Sequence, residues 1–333
     1  MSSKVAVLGA GSWGSALANV LVENGHQVNI WTREEKQKNE INTNHTNEHY
    51  LPEFKFPDEL VATTDLKQAV MNAEAILVVI PTNGIRQLAR KLNDTLDRKV
   101  TIIHASKGLE RETHKRISVI LNEELSAKKT EGIVALSGPS HAEEVINHDL
   151  TTITAASLNL ERAKFVQKLF LNDYFRVYTN PDIIGVEIGA ALKNIIAIGA
   201  GVIAGLGYGD NAKAGLVTRG LAEISRLGVE MGADPLTFMG LSGVGDLIVT
   251  CTSPHSRNWR AGHQLGEGKA IKTVLSNMGM VVEGVSTTQA AFELAKEHAI
   301  EMPITEAIYD VLYNDAEVKQ VISHLMQREG KAE

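Results

Sequence analysis

The run Gly9-Ala10-Gly11-Ser12-Trp13-Gly14 narrows the fold of this chain more than any other segment. It directly follows Val5-Ala6-Val7-Leu8, a short apolar run suited to a buried strand. It opens a helical pattern over Ser15–Asn24 that carries small residues at Ala16 and Ala18. A G-x-G-x-x-G in that setting gives each glycine a job. Gly9 allows a tight turn, Gly11 lets the backbone approach a pyrophosphate, and Gly14 lets helix and strand pack closely. The helix N-terminus behind Gly11 presents N–H groups and the positive end of its dipole to the phosphates. Strand, glycine turn and helix therefore predict a dinucleotide-binding βαβ unit.

The pattern continues through the first half. Val5–Leu8, Val28–Trp31, Ala75–Ile80, Val100–His104, Ile133–Ser137 and Thr151–Ala155 read as strands, with helical patterns between them such as Thr113–Leu125. Strands alternating with helices predict a mostly parallel sheet with right-handed crossovers. Asn180-Pro181-Asp182 breaks the pattern. Long helical segments follow, near 183–206, 211–231, 283–298 and 304–313. The reading is α/β, with a Rossmann-type doubly wound N-terminal domain (1–180) and an all-α C-terminal, substrate-binding domain (181–333). A length of 333 residues suits two domains. Residues 327–333 read as a frayed tail.

Composition excludes several classes. Hydrophobic residues at 44% and charged residues at 22% fit a globular protein rather than a disordered one. A net charge of −7 argues against nucleic acid as a partner. It also means that any phosphorylated ligand must be met by a few local cations. The one cysteine, Cys251, rules out an intrachain disulfide and fits a reducing compartment. Met1-Ser2-Ser3-Lys4 runs straight into only four apolar residues, too few for a signal-peptide core, so a cytoplasmic location is expected. Between Asp182 and Asp210 the only charges are Glu187 and Lys193. Seven glycines in that stretch favour a buried helix in a soluble core over a membrane span.

The second strand points to the cofactor's ribose. An acid is usual there in NAD enzymes, about 20 residues beyond the first glycine. Here Val28-Asn29-Ile30-Trp31-Thr32 leads to Arg33, whose guanidinium suits a 2′-phosphate. NADP(H) is therefore favoured, and NAD(H) stays open because Glu34 and Glu35 follow at once.

Lys193 is the leading catalytic candidate. Its helical neighbours are Gly189, Ala190, Ile196 and Ala197. None is an acid, and their small size leaves room for a ligand or another backbone. Desolvation there would poise the amine for proton transfer. A surface lysine, snorkelling or paired with an acid from elsewhere, is the plainer alternative. Ser242-Gly243-Val244-Gly245-Asp246 and Ser253-Pro254-His255-Ser256-Arg257-Asn258 read as polar turns, placing Asp246 and Arg257 where ligand contacts are plausible. Ser106-Lys107-Gly108 and Gly138-Pro139-Ser140 each follow a strand, at the carboxyl edge where open α/β sheets bind ligands. His45-Thr46-Asn47-Glu48-His49 imitates a zinc-peptidase signature, but that motif needs a helix. A polar stretch just before Pro52 does not promise one, so no metal is expected.

Together these segments resemble the bacterial-type NAD(P)-dependent sn-glycerol-3-phosphate dehydrogenases. The resemblance runs from Gly9–Gly14 through Ser106-Lys107-Gly108-Leu109-Glu110, Ser137-Gly138-Pro139-Ser140, Ala191-Leu192-Lys193-Asn194, Gly243-Val244-Gly245-Asp246-Leu247 and Ser256-Arg257-Asn258 to Val281-Val282-Glu283-Gly284-Val285. It implies interconversion of dihydroxyacetone phosphate and glycerol 3-phosphate, feeding phospholipid synthesis. It implies Lys193 as proton donor and acceptor. Lys107, Gly138, Ser140, Asp246, Ser256, Arg257 and Asn258 would contact the substrate. Ser12, Trp13, Arg33, Lys107, Ala142, Arg257, Val281 and Glu283 would join the glycines in contacting the cofactor, and from the segment 42–57 only Tyr50 would add a contact. The cations Arg33, Lys107, Lys193 and Arg257 would form a basic site inside an acidic exterior. A homodimer is expected, although the glycine-rich helix over 195–209 serves equally well as packing within one chain. Two alternatives stand beside this reading: a β-hydroxyacid or ketopantoate dehydrogenase of similar architecture, and a non-catalytic NADPH sensor.

Overall fold

The computed structural model describes residues 2–279 and 281–330. The chain divides into two compact units, Met1–Lys107 with Arg116–Val186, and Gly108–Lys115 with Glu187–Glu333. Two details differ from the division at residue 180. The second unit begins inside a helix, Ile183–Gly205, and it also claims the short excursion Gly108–Lys115. His114 explains why Thr113 does not start a helix. It adopts a left-handed backbone, φ +55°, and the helix runs only over Ile117–Glu124.

The first unit is built on eight strands: β1 (Lys4–Leu8), β2 (Gln27–Trp31), β3 (Val61–Thr63), β4 (Ala75–Val78), β5 (Val100–His104), β6 (Thr130–Ser137), β7 (Thr151–Ala156) and β8 (Phe175–Asn180). Their order is β3-β2-β1-β4-β5-β6-β7-β8. All neighbours pair parallel except β6 with β7. The central strands are buried on both faces, which is why they read as continuous apolar runs. Val5 and Val7 of β1 join one core cluster with Leu77 and Ile103, while Ala6 and Leu8 join the opposite one with Ile76 and Ile102. The sequence reading missed β3 and β8. The first is only three residues long, and the second alternates apolar and polar residues as Phe-Arg-Val-Tyr-Thr-Asn.

The second unit is helical, and Ile183–Gly205 is its most apolar element. The helix is long and apolar enough to cross a membrane, yet 83% of its most hydrophobic window is buried by the protein. Its glycines account for the burial. A β-carbon on Gly201 would lie 2.0 Å from the Trp259 carbonyl oxygen. One on Gly262 would lie 1.9 Å from that of Ile198. Gly205 and Gly266 repeat the contact one turn on. The glycines thus let the helix Arg257–Gly266 pack backbone against backbone. The glycine seam is filled from within the unit itself. Asp210–Glu230, Glu283–Glu297 and Pro303–Tyr313 form the other long helices, as expected. A last helix, Val318–Met326, leaves Gln327–Gly330 outside helical structure, and residues 331–333 of the expected tail lie outside the described residues.

Candidate active site

The sheet order reverses at β1, whose neighbours β2 and β4 lie on opposite sides, so the carboxyl ends of β1 and β4 flank a crevice. The glycine loop occupies that end. Gly9 N–H donates to the Trp31 carbonyl at 3.1 Å, and Val79 N–H donates to that of Leu8 at 2.9 Å. Gly9 has φ +124°, and a β-carbon there would lie 2.3 Å from the Val79 oxygen. A β-carbon on Gly14 would lie 1.9 Å from the Gly9 oxygen. Gly11 differs. Its nearest neighbour, Tyr50 Cε1, would be 4.0 Å away, so the backbone stands open on that side. The helix Ser12–Glu23 behind it has no side-chain cap and no acid in its first turn. Open glycine and uncapped N–H groups fit a pyrophosphate.

Ser12 donates through Oγ to the Tyr50 carbonyl at 2.9 Å, and Trp13 packs on the sheet's core. Arg33 is exposed just beyond the end of β2. Of its two acidic neighbours, Glu35 is engaged by Lys38 and by Thr64 Oγ1, and the Lys38 ammonium holds its carboxyl below the usual range. Lys107 and Ser140 are half-buried, one shortly after β5 and the other shortly after β6. Ser106 Oγ donates to the Ile80 carbonyl at 2.6 Å and Ser140 Oγ to that of Gly138 at 3.0 Å, which shapes the two turns. Ala142 opens the short helix Ala142–Ile146 and is buried.

In the second unit, Lys193 is only 4% exposed and Asp246 1%. The Lys193 ammonium donates to Asp246 Oδ1, and to Thr250 Oγ1 at 2.8 Å. Thr250 Oγ1 donates in turn to Asp246 Oδ1 at 3.2 Å. Sequence reasoning missed Thr250, although it lies one helical turn beyond Asp246 on the helix Asp246–Thr252. Asp246 itself does not sit in a turn. It is the first residue of that helix, where a carboxylate complements the dipole. The room beside Lys193 is used by another backbone, since a β-carbon on Gly189 would lie 2.6 Å from the Ser242 oxygen. A buried ammonium held by a carboxylate and a hydroxyl has its geometry fixed. Cys251 is buried, and burial pushes its thiol up to about 12, which keeps it neutral and unreactive.

Arg257 likewise opens a helix rather than lying in a turn. Ser256 is that helix's N-cap and accepts from Trp259 N–H at 3.2 Å, so its side chain has a structural task. Arg257 is exposed and donates to the Val281 carbonyl at 3.4 Å. Asn258 Oδ1 accepts from Gly284 N–H at 2.9 Å, next to Glu283 at the start of Glu283–Glu297. Two motifs that are separate in sequence, Ser256–Asn258 and Val281–Glu283, are thereby brought together. The zinc-like stretch is not helical. His45 ends the helix Glu35–Asn44 in a left-handed conformation and faces Asp58 at 3.4 Å.

Comparison with known proteins agrees with this geometry. The family model for the N-terminus of NAD-dependent glycerol-3-phosphate dehydrogenase matches residues 4–163, and the model for its C-terminus matches 182–323. A glycerol-3-phosphate dehydrogenase [NAD(P)+] of Enterococcus faecalis is 66% identical, covering 100% of this chain and 98% of its own. One from Lactiplantibacillus plantarum is 61% identical, covering 100% and 99%. A crystal structure of the Coxiella burnetii glycerol-3-phosphate dehydrogenase superposes with TM-score 0.93 at 37% identity, over 98% of this chain and 99% of that one. A ketopantoate reductase from Ralstonia eutropha shares the fold at TM-score 0.60 and 15% identity, over 97% and 100%. On the glycine loop, the sheet order and these full-length matches, the chain belongs to the NAD-dependent glycerol-3-phosphate dehydrogenase family.

Proposed function

We propose that this chain reduces dihydroxyacetone phosphate to sn-glycerol 3-phosphate, with Lys193 delivering the proton. The observation that carries the mechanism is the buried Lys193–Asp246–Thr250 group. When bound, the reduced nicotinamide supplies the hydride. The Lys193 ammonium then gives its proton to the developing alkoxide oxygen and is left as the neutral amine, to be reprotonated from solvent. Asp246 and Thr250 orient the ammonium and disfavour its wandering. Arg257 and Lys107 bind phosphate, Arg257 through its planar fork. Gly138, Ser140 and Asn258 complete the substrate contacts. Gly9–Gly14 hold the pyrophosphate. Ala142, Val281 and Glu283 lie against the cofactor, and Arg33 selects NADP(H) through the 2′-phosphate.

The test is NADPH oxidation with dihydroxyacetone phosphate, ketopantoate and tartronate semialdehyde in parallel. Turnover with the first alone is expected. Preference for either other substrate overturns the reading. Tight NADPH binding without turnover on any of them favours a sensor.

Two further readings accompany this one. The buried free thiol suits a cytoplasmic enzyme. A homodimer is supported by an apolar groove of about 1570 Å³ lined by Leu216, Ile304, Ile308 and Ile322, with arginines and glutamates both present in its lining. Light scattering at twice the chain mass is the expected result.

A further inference from the structure

The stretch that imitates a zinc signature has a different use. Asn47, in its middle, is 1% exposed although it lies in a polar loop. Its Nδ2 donates to the Ala10 carbonyl at 2.9 Å and to Ser15 Oγ at 2.9 Å. Gln37 Nε2 donates to the same Ala10 carbonyl at 2.6 Å and to Asn47 Oδ1 at 3.1 Å. Gln37 Oε1 accepts from the Thr32 hydroxyl. The two amides are thus turned toward the glycine loop, the end of β2 and each other. Two donors converge on one carbonyl, that of Ala10.

We propose that Gln37 and Asn47 are positioning residues for the dinucleotide, acting through the Ala10–Gly11 peptide. A trans peptide points its C=O and N–H in opposite directions. Holding the Ala10 oxygen toward Gln37 and Asn47 therefore aims the Gly11 N–H the other way. Without those donors the peptide is free to rotate, since glycine at Gly11 imposes little restraint. Asn47 also anchors the turn that carries Tyr50, because its carbonyl accepts from Tyr50 N–H at 2.9 Å and Leu51 N–H at 2.8 Å. The Tyr50 carbonyl in turn receives Ser12 Oγ. The loop is thus held from behind at Ala10, Ser12 and Ser15. Thr32, the residue before Arg33, belongs to the same network. The inference rests on the reading of Gly9–Gly14 as the pyrophosphate site and is independent of what Arg33 selects.

The experiment uses the full chain with Gln37→Leu, Asn47→Asp and the double variant. Calorimetric titration gives Kd for NADPH and for NADH, and steady-state assays give KM and kcat. Each single variant is expected to raise both Kd values about tenfold, with their ratio unchanged, the loss of a hydrogen-bond donor to the Ala10 carbonyl being the cause. The KM for dihydroxyacetone phosphate, and kcat at saturating cofactor, should stay within about twofold. The double variant should lose less than the product of the singles, because both amides serve one carbonyl. An unchanged Kd in folded Gln37→Leu overturns the proposal, as does a loss of kcat without a change in Kd. Gln37 is only half-buried, so Gln37→Leu decides the matter even where Asn47→Asp fails to fold. Arg33→Ala, run alongside, reports on the ratio alone. An unchanged ratio there removes the 2′-phosphate reading and leaves this one standing.

Discussion

The carbonyl oxygen of Ser242 rests against Gly189, 2.6 Å from where a β-carbon would stand, one helical turn before Lys193. The Leu241–Gly245 turn leads directly into Asp246, so this close approach places the carboxylate that holds the lysine. Gly189→Ala is expected to force the turn outward and cost about 1–3 kcal/mol of stability through overpacking. It should also lower kcat at temperatures where the variant is folded. A variant with normal Tm and normal kcat would show that the contact is not needed.

Lys193→Met should lower kcat by about a hundredfold or more, the usual scale for losing a general acid. The Kd for NADPH should barely move, because the glycine loop belongs to the first unit. Near-normal turnover would sink the proton-donor role.

Arg257→Ala should chiefly raise the KM for dihydroxyacetone phosphate, by roughly tenfold or more, as expected for a lost contact to a charged group. Arg257 is exposed and, among the described residues, its side chain donates to the Val281 carbonyl, so Tm should hold. Equal weakening of an unphosphorylated ketone would argue against a phosphate contact.

A pH effect is expected far from the site. Arg90, with Arg86, holds the Glu124 carboxyl down to about 2, through bonds of 2.8 and 2.5 Å. A carboxylate whose folded value is depressed stabilises the fold above its unfolded value of 4.5, and that contribution fades as pH falls from there toward about 2. Glu124→Gln should therefore lower Tm at pH 7, and its gap to the wild type should narrow on acidification through this window. A gap that is constant with pH would mean that the ion pairs contribute nothing.

The chain showed its dinucleotide loop plainly because glycine spacing, strand and helix are local and mutually consistent. Lys193 stood out for a local reason too, the small residues around it. What completes each site is non-local. Asp246 reaches Lys193 across 53 residues, and Asn47 reaches Ala10 across 37. Periodicity carries no record of such pairings. Asp246 and Arg257 were read as turn residues because glycine and serine surround them. In fact serine caps one helix, and a glycine-rich helical turn leads into the other. The glycines of Ile183–Gly205 gave the least away. Composition cannot separate a glycine that meets a lipid, a second subunit or the chain's own backbone.

That last ambiguity is settled only when a later part of the chain arrives. The Ile183–Gly205 helix leaves the ribosome before Arg257–Gly266, whose backbone fills its glycine seam, has been made. At typical synthesis rates the delay is on the order of 3–12 s. For that interval the glycine seam of a segment with a membrane span's length and hydropathy has no cover. The glycines that make the finished core so tight thus leave an apolar seam open during synthesis, and slow translation between residues 205 and 266 should lengthen that exposure.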